Sequence, residues 1–149
     1  MIAVISAKET VRLRPFLAEL AAYHNSVSLY HKGQYPARDM EKVLQNLSQD
    51  CQSGQGAVAV AEKNGIWQGF VSVRIEKEEG SIGFLFVRQE ARGKGLGQAL
   101  MDWAMHWLGE AGCERISVKV VAGNPALHLY ETYGFQVNAY ILWKSFHKL

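Results

Sequence analysis

Within Arg92-Gly93-Lys94-Gly95-Leu96-Gly97, three glycines alternate with two cations and one leucine, and an apolar helical pattern starts directly behind them. Glycine lets the main chain bend sharply and approach a ligand closely. A helix N-terminus adds unpaired N–H groups and the positive end of its dipole. With Arg92 and Lys94 beside them, these features describe a corner that attracts phosphate. The alternative is a plain strand-to-helix turn that uses glycine for its geometry alone.

Such a corner needs a strand to deliver the chain and a helix to carry it away. The segment "SIGFLFV", apolar at nearly every position, supplies the strand and reads as a central one covered on both faces. Leu96, Leu100, Trp103, Ala104, Trp107 and Leu108 form the helical stripe, and Gly112 stops it. Upstream, Ile2 to Ile5 reads as a strand and Ser6 or Lys8 to Tyr23 as a helix. A second helix carries Met40, Val43, Leu44 and Leu47 at i, i+3, i+4 and i+7. "AVAVAEK", Asn64-Gly65 and "IWQGFVSVRIEK" then spell a hairpin, because Asn-Gly accepts the positive φ of a tight turn. Downstream, "RISVKVV" reads as a strand, "NPALHLYETY" as a short helix closed by Gly134, and "FQVNAYILWKSF" as a final strand. The predicted order is β-α-α-β-β-β-α-β-α-β, an α/β chain with a mixed sheet in a single domain spanning 1–149.

Composition narrows the function. A chain of 149 residues with 48% hydrophobic content holds one packed core. Its net charge of +2 argues against a broad nucleic-acid surface, so phosphate binding has to be local. Cys51 and Cys113 have no metal-like spacing and are too few for a disulfide framework, which fits a reducing cytoplasm. His24 and His31 lack further spaced ligands, so no metal is expected. No stretch reaches transmembrane length, and no membrane partner is expected.

Three phosphate motifs compete for the glycine segment. A nucleoside-triphosphate loop requires glycine where Arg88 stands and Ser or Thr where Gly95 stands. A dinucleotide fingerprint requires Gly-x-Gly-x-x-Gly in the first βαβ unit, whereas Gly93, Gly95 and Gly97 alternate and lie past the middle of the chain. The third pattern, Arg/Gln-x-x-Gly-x-Gly/Ala, fits Arg92 to Gly97. There the sequence resembles the GCN5-related N-acetyltransferase (GNAT) family. The segment Asn124-Pro125-Ala126-Leu127-His128-Leu129-Tyr130-Glu131-Thr132-Tyr133-Gly134-Phe135 resembles that family's Asn…Ala-x-x-Leu-Tyr-x-x-x-Gly-Phe pattern, in the right order and separated by a helix and a strand.

The resemblance implies a GNAT fold, with a mainly antiparallel central sheet flanked by helices, and acetyl-CoA as cosubstrate. It assigns Arg92, Gly93, Lys94, Gly95, Leu96 and Gly97 to the pyrophosphate. The backbone of Phe86, Val87 and Arg88 falls to the pantetheine arm, and Asn124 to a further contact with it. Arg88 also suits a solvated surface charge, and Asn124 followed by Pro125 also suits a helix cap. Tyr130 matches the tyrosine that acts as general acid on the leaving thiolate. It also falls on an apolar stripe with Ala126, Leu129 and Tyr133, where a core tyrosine would stand.

A carboxylate several residues before the position of Val87, present in many relatives, is replaced here by Ser81-Ile82-Gly83. Glu79 is the candidate base, behind a water relay or an amine that binds already neutral. Tyr23, His24, His31 and Tyr35 are the candidate acceptor-binding residues, in an irregular polar and aromatic stretch. The implied reaction moves an acetyl group directly to a primary amine of a small molecule or peptide. A CoA-binding sensor, a transferase for another acyl-CoA and a nucleotide-binding module are the alternatives. A homodimer is the expected assembly if the aromatic C-terminal segment lends it a strand edge.

Overall fold

The computed structural model describes residues 1–30, 39–144 and 146. Five strands form one sheet in the order β1 (Ile2–Val4), β2 (Gly56–Lys63), β3 (Ile66–Glu76), β4 (Glu79–Val87) and β5 (Arg115–Val118). Neighbours pair antiparallel except β4 and β5, which pair parallel. Asn64 (φ 54°) and Gly65 (φ 77°) both adopt the left-handed region between β2 and β3, which matches the natural twist of a two-residue hairpin.

Helices cover both faces. On one, Leu17 and Leu20 of α1 (Arg14–Val27) and Leu44 and Leu47 of α2 (Met40–Ser53) pack against Val58, Val60, Phe70 and Phe86. On the other, Leu100, Met101, Ala104 and Leu108 of α3 (Leu96–Glu110) and Tyr130 of α4 (Ala126–Thr132) pack against Ala59, Ala61, Val71, Val73 and Ile82. Strand alternation sends successive β2 residues to opposite cores, so Val58 to Ala61 are all buried.

Two sequence expectations need correction. The first helix is broken into a 3₁₀ segment, Ala7–Leu13, and α1, because Pro15 has no N–H to give to a continuous helix. The final strand does not form among the described residues: 135–144 carries no strand, and Val137, Tyr140, Ile141 and Leu142 are exposed. A strand needs a ladder partner. β5 offers only four residues, and just beyond it the Ala122 carbonyl accepts the Leu29 N–H at 2.9 Å, which ties the chain to the end of α1.

Two irregularities in β4 create an exposed backbone edge. Its pairing with β5 runs from Glu79↔Arg115 to Ile82↔Val118 and then stops, while pairing with β3 continues to Val87. From Gly83 onward the β5-side edge of β4 is therefore open. At the same point the β3 ladder slips by one residue, leaving Gly83 as the extra residue of a β-bulge between Ile82 and Phe84.

Candidate functional site

A cavity of about 230 Å³ lies along the open edge of β4. Leu85, Phe86 and Val87 form one wall, and Leu20 and Tyr23 of α1 another. The floor is the loop at Ala91, Arg92, Gly93 and Gly95 with the first turn of α3, and Asn124, Ala126 and Leu129 complete it from the α4 side. The two sequence motifs, some thirty residues apart, thus meet at one opening.

The glycine loop has the geometry that its sequence asked for. Gly93 (φ 79°) and Gly95 (φ 80°) are left-handed, and Gly95 is the N-cap of α3. A Cβ built on either would meet nothing within 4 Å. These glycines therefore answer to backbone conformation, and the space above them is open to a ligand. The N–H groups of the first turn of α3 have no intrahelical partner there, so a bound anion would satisfy them.

The ladder also decides which β4 groups are available. Arg88 N–H donates to the Gln68 carbonyl at 2.9 Å, so it points to β3. By strand alternation the Phe86 groups do likewise, whereas those of Leu85 and Val87 point to the open edge. The expected arm contacts at Phe86 and Arg88 are corrected accordingly: the backbone groups facing the opening are those of Leu85 and Val87. Val87 already receives a bond, since Arg92 Nε donates to its carbonyl at 2.9 Å. The Arg92 guanidinium also lies over the rings of Tyr23, 4.7 Å from the centroid, and Phe86, at 5.6 Å. One arginine thereby links the loop, the end of β4 and α1.

The remaining candidates divide. Arg88 and Lys94 do not line the cavity; Arg88 Nε lies 2.9 Å from Glu90 Oε1 as an ion pair, but outside hydrogen-bond geometry, which leaves that N–H unsatisfied. The Asn124 side-chain oxygen accepts the Ala126 N–H at 2.9 Å, capping α4 while the residue lines the cavity. His24 follows Tyr23 on α1, with ring centroids 6.5 Å apart, and does not line the cavity. His31 and Tyr35 lie outside the described residues. Leu20, Leu85 and Ala91, and Ala126 and Leu129 of the apolar stripe, line it without having been read as site residues, because an apolar side chain on a core stripe carries no sign that one flank borders a cavity.

Glu79 is not brought to this place. It stands at the opposite end of β4, roughly 20 Å along the strand from Leu85 at about 3.3 Å per residue. Its carboxylate is exposed and paired with Arg115. The structure therefore withdraws Glu79 as the base, and no Asp or Glu lines the cavity among the described residues.

Tyr130 is buried, edge-on to Phe135 with ring centroids 6.0 Å apart, and follows Leu129 without lining the cavity itself. Its hydroxyl makes no hydrogen bond among the described residues. Burial pushes its pKa up to about 12. Tyr133, by contrast, is committed: its hydroxyl donates to Asp102 Oδ1 at 2.5 Å, with the Gln98 carbonyl 3.1 Å away as the alternative acceptor for the same proton. No three His, Cys, Asp or Glu side chains gather as metal ligands among the described residues, and no described helix is long and apolar enough to cross a membrane.

Residues 20–135 match the family described as Acetyltransferase (GNAT) family. A mycothiol acetyltransferase of Propionibacterium freudenreichii subsp. shermanii is 29% identical over 126 residues, covering 81% of this chain and 40% of that protein. Matches to curated relatives span 17 to 52% of the relatives' own lengths. Among solved structures, a protein described as a predicted acetyltransferase with acetyl-CoA, from Clostridium acetobutylicum, superposes with a TM-score of 0.75 at 16% identity, covering 97% of this chain and 95% of that one. A PaiA N-acetyltransferase from Thermoplasma acidophilum, in complex with coenzyme A, gives 0.73 at 17% identity over 93% and 90%. At these identities the superpositions establish the fold, a mixed α/β sheet flanked by helices.

Proposed function

Because this chain belongs to the acetyltransferase (GNAT) family, we propose that it moves an acetyl group from acetyl-CoA directly to a primary amine of a small molecule or peptide. The observation that carries this reading is the meeting of an unpaired β4 edge with a left-handed glycine loop at the start of α3. An open edge suits an amide-bearing arm, which pairs with it as an added strand does, and the loop suits the pyrophosphate. Leu85 and Val87 would hold the arm, and Gly93, Gly95, Leu96 and Gly97 the phosphates. Arg92 and Lys94 would add charge, and Asn124 a contact from the far side.

In the transfer, the amine lone pair attacks the thioester carbonyl, the C–N bond forms, and the C–S bond breaks with its electrons leaving on sulfur. Tyr130 is proposed to meet that sulfur. An ordinary thiol titrates near about 8.5, well below a phenol raised to about 12. Complete proton transfer from Tyr130 to the thiolate would therefore run uphill. The chemistry favours a hydrogen bond that strengthens as charge develops on sulfur, with the thiolate released to solvent. With no carboxylate lining the cavity among the described residues, an ammonium would shed its proton to water before attack, and an amine that arrives neutral still gives one N–H proton to water as the amide forms.

Incubating the protein with acetyl-CoA and a panel of small amines, amino acids and peptides tests the transfer. At least one amine should raise thiol release above the rate with acetyl-CoA alone and gain one acetyl group by mass. Acetyl-CoA binding with no amine-dependent thiol release anywhere in the panel would favour a CoA-binding sensor.

A further inference from the structure

Three of the described polar or charged residues are buried, Thr10, Ser28 and Ser72, and only Ser72 stands in the sheet. Its hydroxyl accepts the Phe84 N–H at 2.9 Å, at the bulge where β4 parts from β5. The adjoining residue must be small: a Cβ on Gly83 would lie 2.7 Å from Ser72 Oγ. Ser72 and Gly83 therefore fit each other as a pair, and Gly83 itself is exposed at the open edge.

Together with the ladder, in which Ser72 pairs with Phe84, this bond fixes a peptide plane. In a planar trans peptide the N–H and the preceding carbonyl point in opposite directions, and no cis bond occurs in the described chain. If Phe84 N–H is held toward β3, the Gly83 carbonyl points away from β3, to the open β5-side edge two residues before Leu85, where the cavity lining begins. The next N–H, that of Leu85, faces the same way by alternation. An acceptor and a donor are thus presented side by side.

We propose that Ser72 is a positioning residue for acetyl transfer: by holding the Gly83–Phe84 peptide, it aims the Gly83 carbonyl at the acceptor's N–H and the Leu85 N–H at the thioester oxygen. The carbonyl orients the amine lone pair and takes no proton, so the need for water as proton acceptor is unchanged. The inference rests on the proposed reading that acetyl-CoA occupies this edge.

Ser72→Ala and Ser72→Thr separate a positioning role from a merely structural one. Threonine keeps the hydroxyl, and its extra methyl has a neighbouring cavity of about 180 Å³ to enter. Acetyl-CoA affinity is measured for each variant, together with the carbonyl stretch of bound [1-13C]acetyl-CoA and turnover with the best amine of the panel. Ser72→Ala should bind acetyl-CoA nearly as wild type does, lose much of the downshift of the carbonyl stretch, and turn over about 10- to 100-fold more slowly, as misplacement of reacting groups does. Ser72→Thr should restore both. A wild-type stretch and rate in Ser72→Ala would overturn the inference, as would a folded Ser72→Thr as impaired as Ser72→Ala. Failure of the wild-type protein to bind acetyl-CoA would instead bring down the functional reading beneath it.

Discussion

Gly95→Val should abolish acetyl-CoA binding and leave most of the fold in place. Gly95 caps α3 at φ 80° and lines the cavity, with nothing within 4 Å of a built Cβ. A side chain at this φ costs about 1–2 kcal/mol, and a β-branched one strains the backbone further. That cost falls on one loop residue, outside both cores. The branched side chain also fills the space offered to the pyrophosphate and tilts the N–H groups away from it. Gly95→Ala shares much of the backbone strain and fills less space, so it should retain weakened binding. Calorimetric titration and thermal unfolding of both variants check this. Normal affinity in folded Gly95→Val would show that the phosphates bind elsewhere.

Tyr130→Phe should lower turnover by about 10- to 100-fold, the range for losing a hydrogen bond to a charged partner, with little change in acetyl-CoA affinity. The hydroxyl makes no hydrogen bond among the described residues, so its removal breaks none of the fold's bonds and folding stability should not fall. The raised pKa gives an independent signature. Between pH 10 and about 12 the unfolded chain would lose this phenolic proton while the folded chain keeps it. The contribution is complete below pH 10 and is lost as pH rises through about 12. Tyr133 behaves in the same direction, also raised to about 12 by burial and then by its bond to Asp102. Absorbance titration of phenolate should show a late step that Tyr130→Phe diminishes. Unchanged turnover in Tyr130→Phe would make Tyr130 a core residue only.

Local signals carried most of the fold. Asn64-Gly65 names its own turn, and the spacing from Met40 to Leu47 places one face of α2. The glycine loop was legible because both its conformation and its cations are encoded within six consecutive residues. What stayed hidden depends on pairing between distant segments. Whether Phe86 or Val87 presents its backbone to the opening is set by the β3–β4 register and the bulge at Gly83. Glu79 was near in sequence and far in space because the strand between it and the cavity is extended. The segment 135–144 alternates like a strand, but a ladder needs an edge that the four residues of β5 do not supply. Tyr23, read as the last residue of the first helix and the first of a polar recognition stretch, stands on α1 under the Arg92 guanidinium, and α1 continues past it to Val27, which the polar residues from His24 on did not signal.

The donor assignment is tested most directly by thermal unfolding of the wild-type protein with acetyl-CoA, CoA, ATP and NAD in parallel. A ligand held by the folded state alone, at a hundred times its dissociation constant, stabilises that state by about 2.7 kcal/mol. Acetyl-CoA and CoA should raise the melting temperature in a saturable, concentration-dependent way, and ATP and NAD should leave it where it is. No shift with either CoA species, or an equal shift with ATP, would contradict the assignment of this loop and edge to coenzyme A.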